Sequence, residues 1–183
     1  NKFIKNTNIE NSVAVFNEDN FEIDKTNLTV AEEVVVTSSA VSLMDIDAEE
    51  IKSKNINIIL PVNGTITSIY GAREEVFKNV GYHTGIDIAN VLNTPIKSAT
   101  DGKVVLAQAM DKYYGNNIEI ENNGVIFKYA HLNQINVKEG DTIKQGDIIG
   151  LMGSTGASTG SHLHFEIKIN DRTVDPELLL KFR

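Results

Sequence analysis

Asn117-Ile118-Glu119-Ile120-Glu121-Asn122-Asn123-Gly124-Val125-Ile126-Phe127-Lys128-Tyr129-Ala130-His131-Leu132 is the stretch that decides the fold. From Asn117 to Glu121 apolar and polar residues alternate, the period of a strand with one face on a core. Asn122-Asn123-Gly124 supplies the residues that a primed turn favours, and Val125 to Leu132 returns as the second strand. The same texture continues outward. Ile58-Ile59-Leu60-Pro61-Val62 runs through Asn63-Gly64 into Thr65-Ile66-Thr67-Ser68-Ile69-Tyr70 and Gly71, which reads as strand, turn, strand. Asp101-Gly102 precedes Lys103 to Ala107, while Glu139-Gly140-Asp141 and Gln145-Gly146-Asp147 punctuate two more short strands. Turn signals at about eight- to twelve-residue spacing, with few helical stretches, predict an all-β fold, an antiparallel sheet or barrel-sandwich.

Before Asn55 the pattern is different and no clear period holds. Val30 to Val36 predicts one strand. Ser42 to Lys54 predicts one short helix with Ser42 as N-cap, acids in its first turns and lysines near its end. Residues 1–54 carry eleven Asp and Glu against five Lys, so −6 of the chain's net charge of −8 sits there. The expected organisation is an acidic, partly ordered N-terminal connector over 1–54 and a β domain over 55–183. The connector reads as a stalk or adaptor, or else as a partner-binding arm.

Composition narrows the function classes. The 183 residues give room for one domain plus an extension, and an apolar share of 41% is enough for a packed core. No run approaches the roughly eighteen apolar residues of a membrane span. The acidic balance argues against a nucleic-acid partner, which would want a basic face. No Cys occurs, which removes disulfides and thiolate metal ligands and fits an exported bacterial protein. The polar start without an initiating Met predicts a segment upstream: a signal peptide, an anchor or a tag boundary. Trp is absent and aromatics make up 7%, so no glycan-stacking platform is evident and peptide is the expected ligand.

All four histidines fall in the β region. His83 and Asp87 stand four apart in Tyr82-His83-Thr84-Gly85-Ile86-Asp87-Ile88. His162 and His164 stand two apart in Ser161-His162-Leu163-His164-Phe165-Glu166-Ile167. On a strand His162, His164 and Glu166 share one face while Leu163, Phe165 and Ile167 pack the other. Taken singly, each has an ordinary structural explanation; together in one short domain they point to a metal. Two imidazoles and a carboxylate suit zinc with an open position for water. The same set describes the non-haem iron triad, but that uses His-x-Asp and needs no further histidines. Cupins share His-x-His but require another His downstream, and none follows His164. Zinc lowers the pKa of bound water toward about 7, and a base must then take the proton. With no His-Glu-x-x-His helix to supply a Glu, His131 and His162 are the candidates.

These motifs, in this order, resemble the lysostaphin and LytM type of zinc endopeptidases, which cut peptide links in bacterial peptidoglycan. The resemblance runs from about Leu60 to Leu180. It includes Gly71-Ala72-Arg73, His83 to Ala89, Thr94-Pro95-Ile96, Ala99 to Val105, Tyr114-Gly115-Asn116 and Tyr129-Ala130-His131-Leu132. Gly153-Ser154-Thr155-Gly156 then leads to His162 to Glu166 and Val174-Asp175-Pro176. It implies that His83, Asp87 and His164 bind one zinc ion and that His131 and His162 are the catalytic pair. Glu166 either supports the site or faces solvent. Some active relatives carry a Tyr six residues before the first zinc His. Here that position is Phe77, with Tyr82 beside His83 instead.

The layout also resembles the stage II sporulation protein Q type. Those proteins join an N-terminal membrane anchor and a connector to a domain of this kind. They pair with the stage III AH protein between forespore and mother cell. The expected location on either reading is extracytoplasmic, in the cell wall or in that intermembrane space.

Overall fold

The computed structural model describes residues 43–72 and 81–180. The strand expected at Val30 to Val36, the N-cap Ser42 and Phe77 lie outside the described residues. The short helix is present as α1, Leu43–Ser53. Eleven strands follow: β1 Thr65–Ser68, β2 Ile86–Ala89, β3 Pro95–Lys97, β4 Gly102–Asp111, β5 Gly115–Asn122, β6 Val125–Leu132, β7 Gln134–Ile135, β8 Thr142–Ile143, β9 Ile148–Leu151, β10 His162–Ile169 and β11 Arg172–Val174. A 3-10 turn at Pro176–Leu178 comes last.

The fold is antiparallel β throughout. The main sheet runs β1-β2-β10-β6-β5-β4-β8, with β11 also paired to β10, and a smaller sheet runs β3-β9-β7. The β5–β6 hairpin turns at Asn123 and Gly124, whose φ values of 51° and 80° supply the left-handed pair that a type I′ turn needs. Two loops repeat one device: the Asp141 carboxylate accepts from Lys138 N, and Asp147 from Lys144 N, three residues back.

The first part of the expected Ile58–Tyr70 hairpin is corrected by the structure. Ile58 to Val62 is not a strand, although Ile59 N donates to Ala99 O and Lys97 N donates to Pro61 O. Pro61 has no N–H to extend a ladder. The second part, β1, stops at Ser68, and the edge resumes only as an isolated bridge between Gly71 and His83.

Alternation places the core. Ile86 and Ile88 of β2, Ile118 and Ile120 of β5, Phe127 and Tyr129 of β6, and Leu163, Phe165 and Ile167 of β10 are all fully buried. Burial of side chains this size is the dominant stabilising contribution, about 1.5–3 kcal/mol each. The buried Tyr129 hydroxyl accepts from Ala99 N at 2.8 Å. Tyr129→Phe is expected to leave that buried N–H unpaired, at a cost of about 1–3 kcal/mol. Thermal unfolding should show a midpoint lower by several degrees.

Helix α1 docks by Ala48 and Ile51, both part of the hydrophobic core. The Asp47 carboxylate accepts two bonds from the Arg172 guanidinium on β11, from Nε at 2.7 Å and Nη2 at 2.5 Å. That guanidinium holds Asp47 below the usual carboxylate range, against the opposing effect of burial. A carboxyl whose folded pKa is depressed stabilises above its unfolded value of about 4, and the contribution disappears as pH falls through the folded value. Asp47→Asn at neutral pH should therefore mimic acid, speeding exchange of the α1 amides about tenfold while core strands are unchanged.

Candidate metal centre

Strand order brings the histidines together. Strand β10 lies between β2 and β6, so His164 stands directly opposite Asp87 on one side and Ala130, next to His131, on the other. Asp87 alternates with the buried Ile86 and Ile88, which turns its side chain to the opposite face of β2. Gly85 permits the close approach of β2 to β10, since a Cβ there would lie 2.3 Å from the Phe165 carbonyl oxygen. His83 is held by the paired backbone bonds to Gly71, 2.9 and 2.8 Å.

Three potential ligand atoms converge. His83 Nε2 lies 3.1 Å from His164 Nδ1 and 3.2 Å from Asp87 Oδ1, and His164 Nδ1 lies 2.8 Å from Asp87 Oδ1. A tetrahedral zinc site with bonds of about 2.0–2.2 Å has ligand atoms about 3.3 Å apart, close to this triangle. The outer nitrogens settle which atoms face inward. His83 Nδ1 lies 2.7 Å from the Ile69 carbonyl, which can only accept, so that nitrogen carries the proton. His164 Nε2 lies 2.9 Å from Glu166 Oε1, which also accepts from the Thr84 and Tyr114 hydroxyls. Two imidazole lone pairs and a carboxylate oxygen therefore point at one another. Those three electron-pair donors make a set that a cation fits.

The titration behaviour has the same origin. Burial disfavours charge on Asp87, but the adjacent His164 and His83 rings, which share any added proton, outweigh it and hold the carboxyl well below its usual range. Burial likewise works against Glu166, and the donors His164, Thr84 and Tyr114 bring it down to about 2. Both carboxylates are ionised at neutral pH. His164 is pushed down by burial and up by Asp87 and Glu166, with a net rise, the mark of a position that attracts positive charge.

His131 and His162 stand beside the triad. Their ring centroids are 4.7 Å apart, and His131 is 5.8 Å from the His164 ring. One loop orients both: His131 Nδ1 donates to Thr155 O and His162 Nδ1 donates to Gly160 O, each at 2.8 Å. That fixes Nε2 of each ring as the working atom, with His162 Nε2 3.7 Å from Asp87 Oδ1. Burial pushes His131 down to about 4, and its neighbours His162 and His164 add to the shift. It is neutral near pH 7 and can accept a proton.

All five expected residues thus border one cleft of about 420 Å³. Tyr82, Tyr113 and Tyr114 line it as well, so aromatic surface is present despite the low aromatic content. Two sets of residues were not apparent from the sequence. Thr84 and Tyr114 bind Glu166, and nothing in their spacing signals it. The carbonyls of Thr155 and Gly160 carry no side-chain signal; only the Gly-Ser-Thr-Gly motif marked that loop.

Residues 81–176 match Peptidase family M23, and the chain belongs to that family, whose members are zinc metallopeptidases. Among curated relatives, the peptidoglycan DD-endopeptidase ShyB of Vibrio cholerae is 44% identical over 94 residues, covering 51% of this chain and 22% of that protein. The catalytic domain of lysostaphin from Staphylococcus simulans is similar in structure, with a TM-score of 0.59 and 37% identity. The match covers 64% of this chain and 92% of that one. The SpoIIQ–SpoIIIAH pore-forming complex contains a chain matching at TM-score 0.62 and 26% identity, with 69% of this chain and 92% of that chain covered. The chain spans under a third of the length of the curated relatives it matches first.

Proposed function

We propose that this domain is a zinc-dependent endopeptidase acting on peptide links of bacterial peptidoglycan. One observation carries the reading: three inward-facing acceptor atoms and two oriented imidazoles meet in one open cleft. His83, Asp87 and His164 would hold one zinc ion per chain. When bound, zinc supplies Lewis-acid polarisation of the scissile carbonyl and acidifies a water.

The chain's own residues do the rest. Neutral His131 takes the proton from the attacking water through Nε2, a transfer its lowered pKa leaves open at neutral pH. The new C–O bond forms at the carbonyl carbon, the C–N bond breaks, and the proton passes to the departing amine. His162, held by Gly160 O, presents Nε2 to the developing oxyanion. The name of ShyB supports peptidoglycan as the substrate. We place the activity outside the cytoplasm, where that polymer lies. Residues 1–54 act as an acidic connector to 55–183, with α1 as the point where it grips the domain.

A second reading has its own support, the match covering 92% of the chain in the SpoIIQ–SpoIIIAH complex. On that reading the domain is a sporulation scaffold, joined to a membrane by an upstream anchor and bound to the stage III AH protein. Among the described residues no helix is long and apolar enough to cross a membrane. Incubation with peptidoglycan separates the two. New amino termini mark a hydrolase; zinc bound without release, together with capture of the stage III AH protein, marks the scaffold.

A further inference from the structure

We infer that Glu166 is the positioning residue of this metal centre, with Thr84, Tyr114 and Lys128 fixing it in place. The inference rests on the zinc-site reading above and adds what makes His164 a competent ligand.

His164 reaches the triad through Nδ1, the ring nitrogen nearer its backbone, so a rotation about the Cβ–Cγ bond would remove the lone pair from Asp87 and His83. Core packing alone does not select between the two ring orientations, which have nearly the same shape. Glu166 does. It is 1% exposed and accepts the Nε2 proton of His164 at 2.9 Å. In the flipped ring a C–H would face that carboxylate, leaving a buried charge without its strongest donor. Because Glu166 lies two residues along the same strand, on the same face as His164, the carboxylate and the ring share one rigid support.

Glu166 is itself fixed from two directions. Thr84, adjacent to His83, donates its hydroxyl to Oε1, and Tyr114 donates to the same atom at 2.9 Å. The Tyr114 ring is held by the Lys128 ammonium, 3.7 Å from its centroid. Lys128 in turn pairs with Glu119 at 3.0 Å. Glu119, Lys128 and Glu166 are successive cross-strand neighbours on β5, β6 and β10. A charged ladder thus runs under the cleft and ends on His164. Its members touch neither the triangle of ligand atoms nor the reacting groups; they act through His164.

Zinc affinity, measured by competition with a chromophoric chelator, and the visible spectrum of the cobalt-loaded protein test this. Glu166→Gln keeps size but removes the charge, and should weaken zinc binding about 10–100-fold and alter the cobalt spectrum. Tyr114→Phe keeps the ring over Lys128 and removes only the donated hydroxyl. It should weaken binding several-fold, and it tests the proposal if Glu166→Gln fails to fold. Glu166→Gln or Tyr114→Phe, folded, with wild-type zinc affinity and an unchanged cobalt spectrum would overturn the inference. His83→Ala run in parallel separates the levels. Zinc binding lost there but unaffected in the Glu166 variant refutes only the positioning role. Zinc binding retained there refutes the ligand set, and this inference with it.

Discussion

Replacing His83 by alanine should strip the protein of zinc. The ligand triangle has three corners, and removing one leaves His164 Nδ1 and Asp87 Oδ1 as a two-point site. Structural zinc sites of four ligands bind with about 10–16 kcal/mol, so one ligand carries about 2.5–4 kcal/mol and its loss about two to three orders of magnitude in affinity. The backbone bridge from residue 83 to Gly71 does not use the side chain, so the variant should fold. Metal content after desalting should fall from about one zinc per chain to near zero, with an unchanged circular dichroism spectrum. Full zinc occupancy without His83 would refute the ligand assignment.

His131→Ala should separate chemistry from metal binding. His131 lies outside the triangle, and its Nδ1 is committed to Thr155 O. Losing a general base costs about 10²–10⁴ in rate, and the loss should fall on kcat, since the group acts on the proton in flight. Zinc content should stay at the wild-type level. A variant that keeps zinc and cleaves at the wild-type rate would show that the proton is handled elsewhere, with His162 the next to test.

Much of this was legible in the sequence because strand geometry is periodic. The parity of His162, His164 and Glu166 follows from alternation, and the Asn123-Gly124 turn from the need for positive φ. What was not legible is what strands do across a sheet. Asp87 faces His164 because β2 and β10 pair in that register, and no local pattern encodes the pairing. The same holds for Tyr114 reaching Glu166, 52 positions away. The tautomers of His131 and His162 are set by backbone carbonyls, which every residue has and no sequence distinguishes. The apolar content of Ile58 to Val62 predicts a strand, but a ladder needs donors, and Pro61 removes one within it.

The most direct measurement is the release of new amino termini from purified peptidoglycan by the zinc-loaded protein. Release should proceed with zinc, stop on chelation and return on adding zinc back. Stoichiometric zinc with no release from the peptidoglycan of several bacteria would contradict the endopeptidase reading.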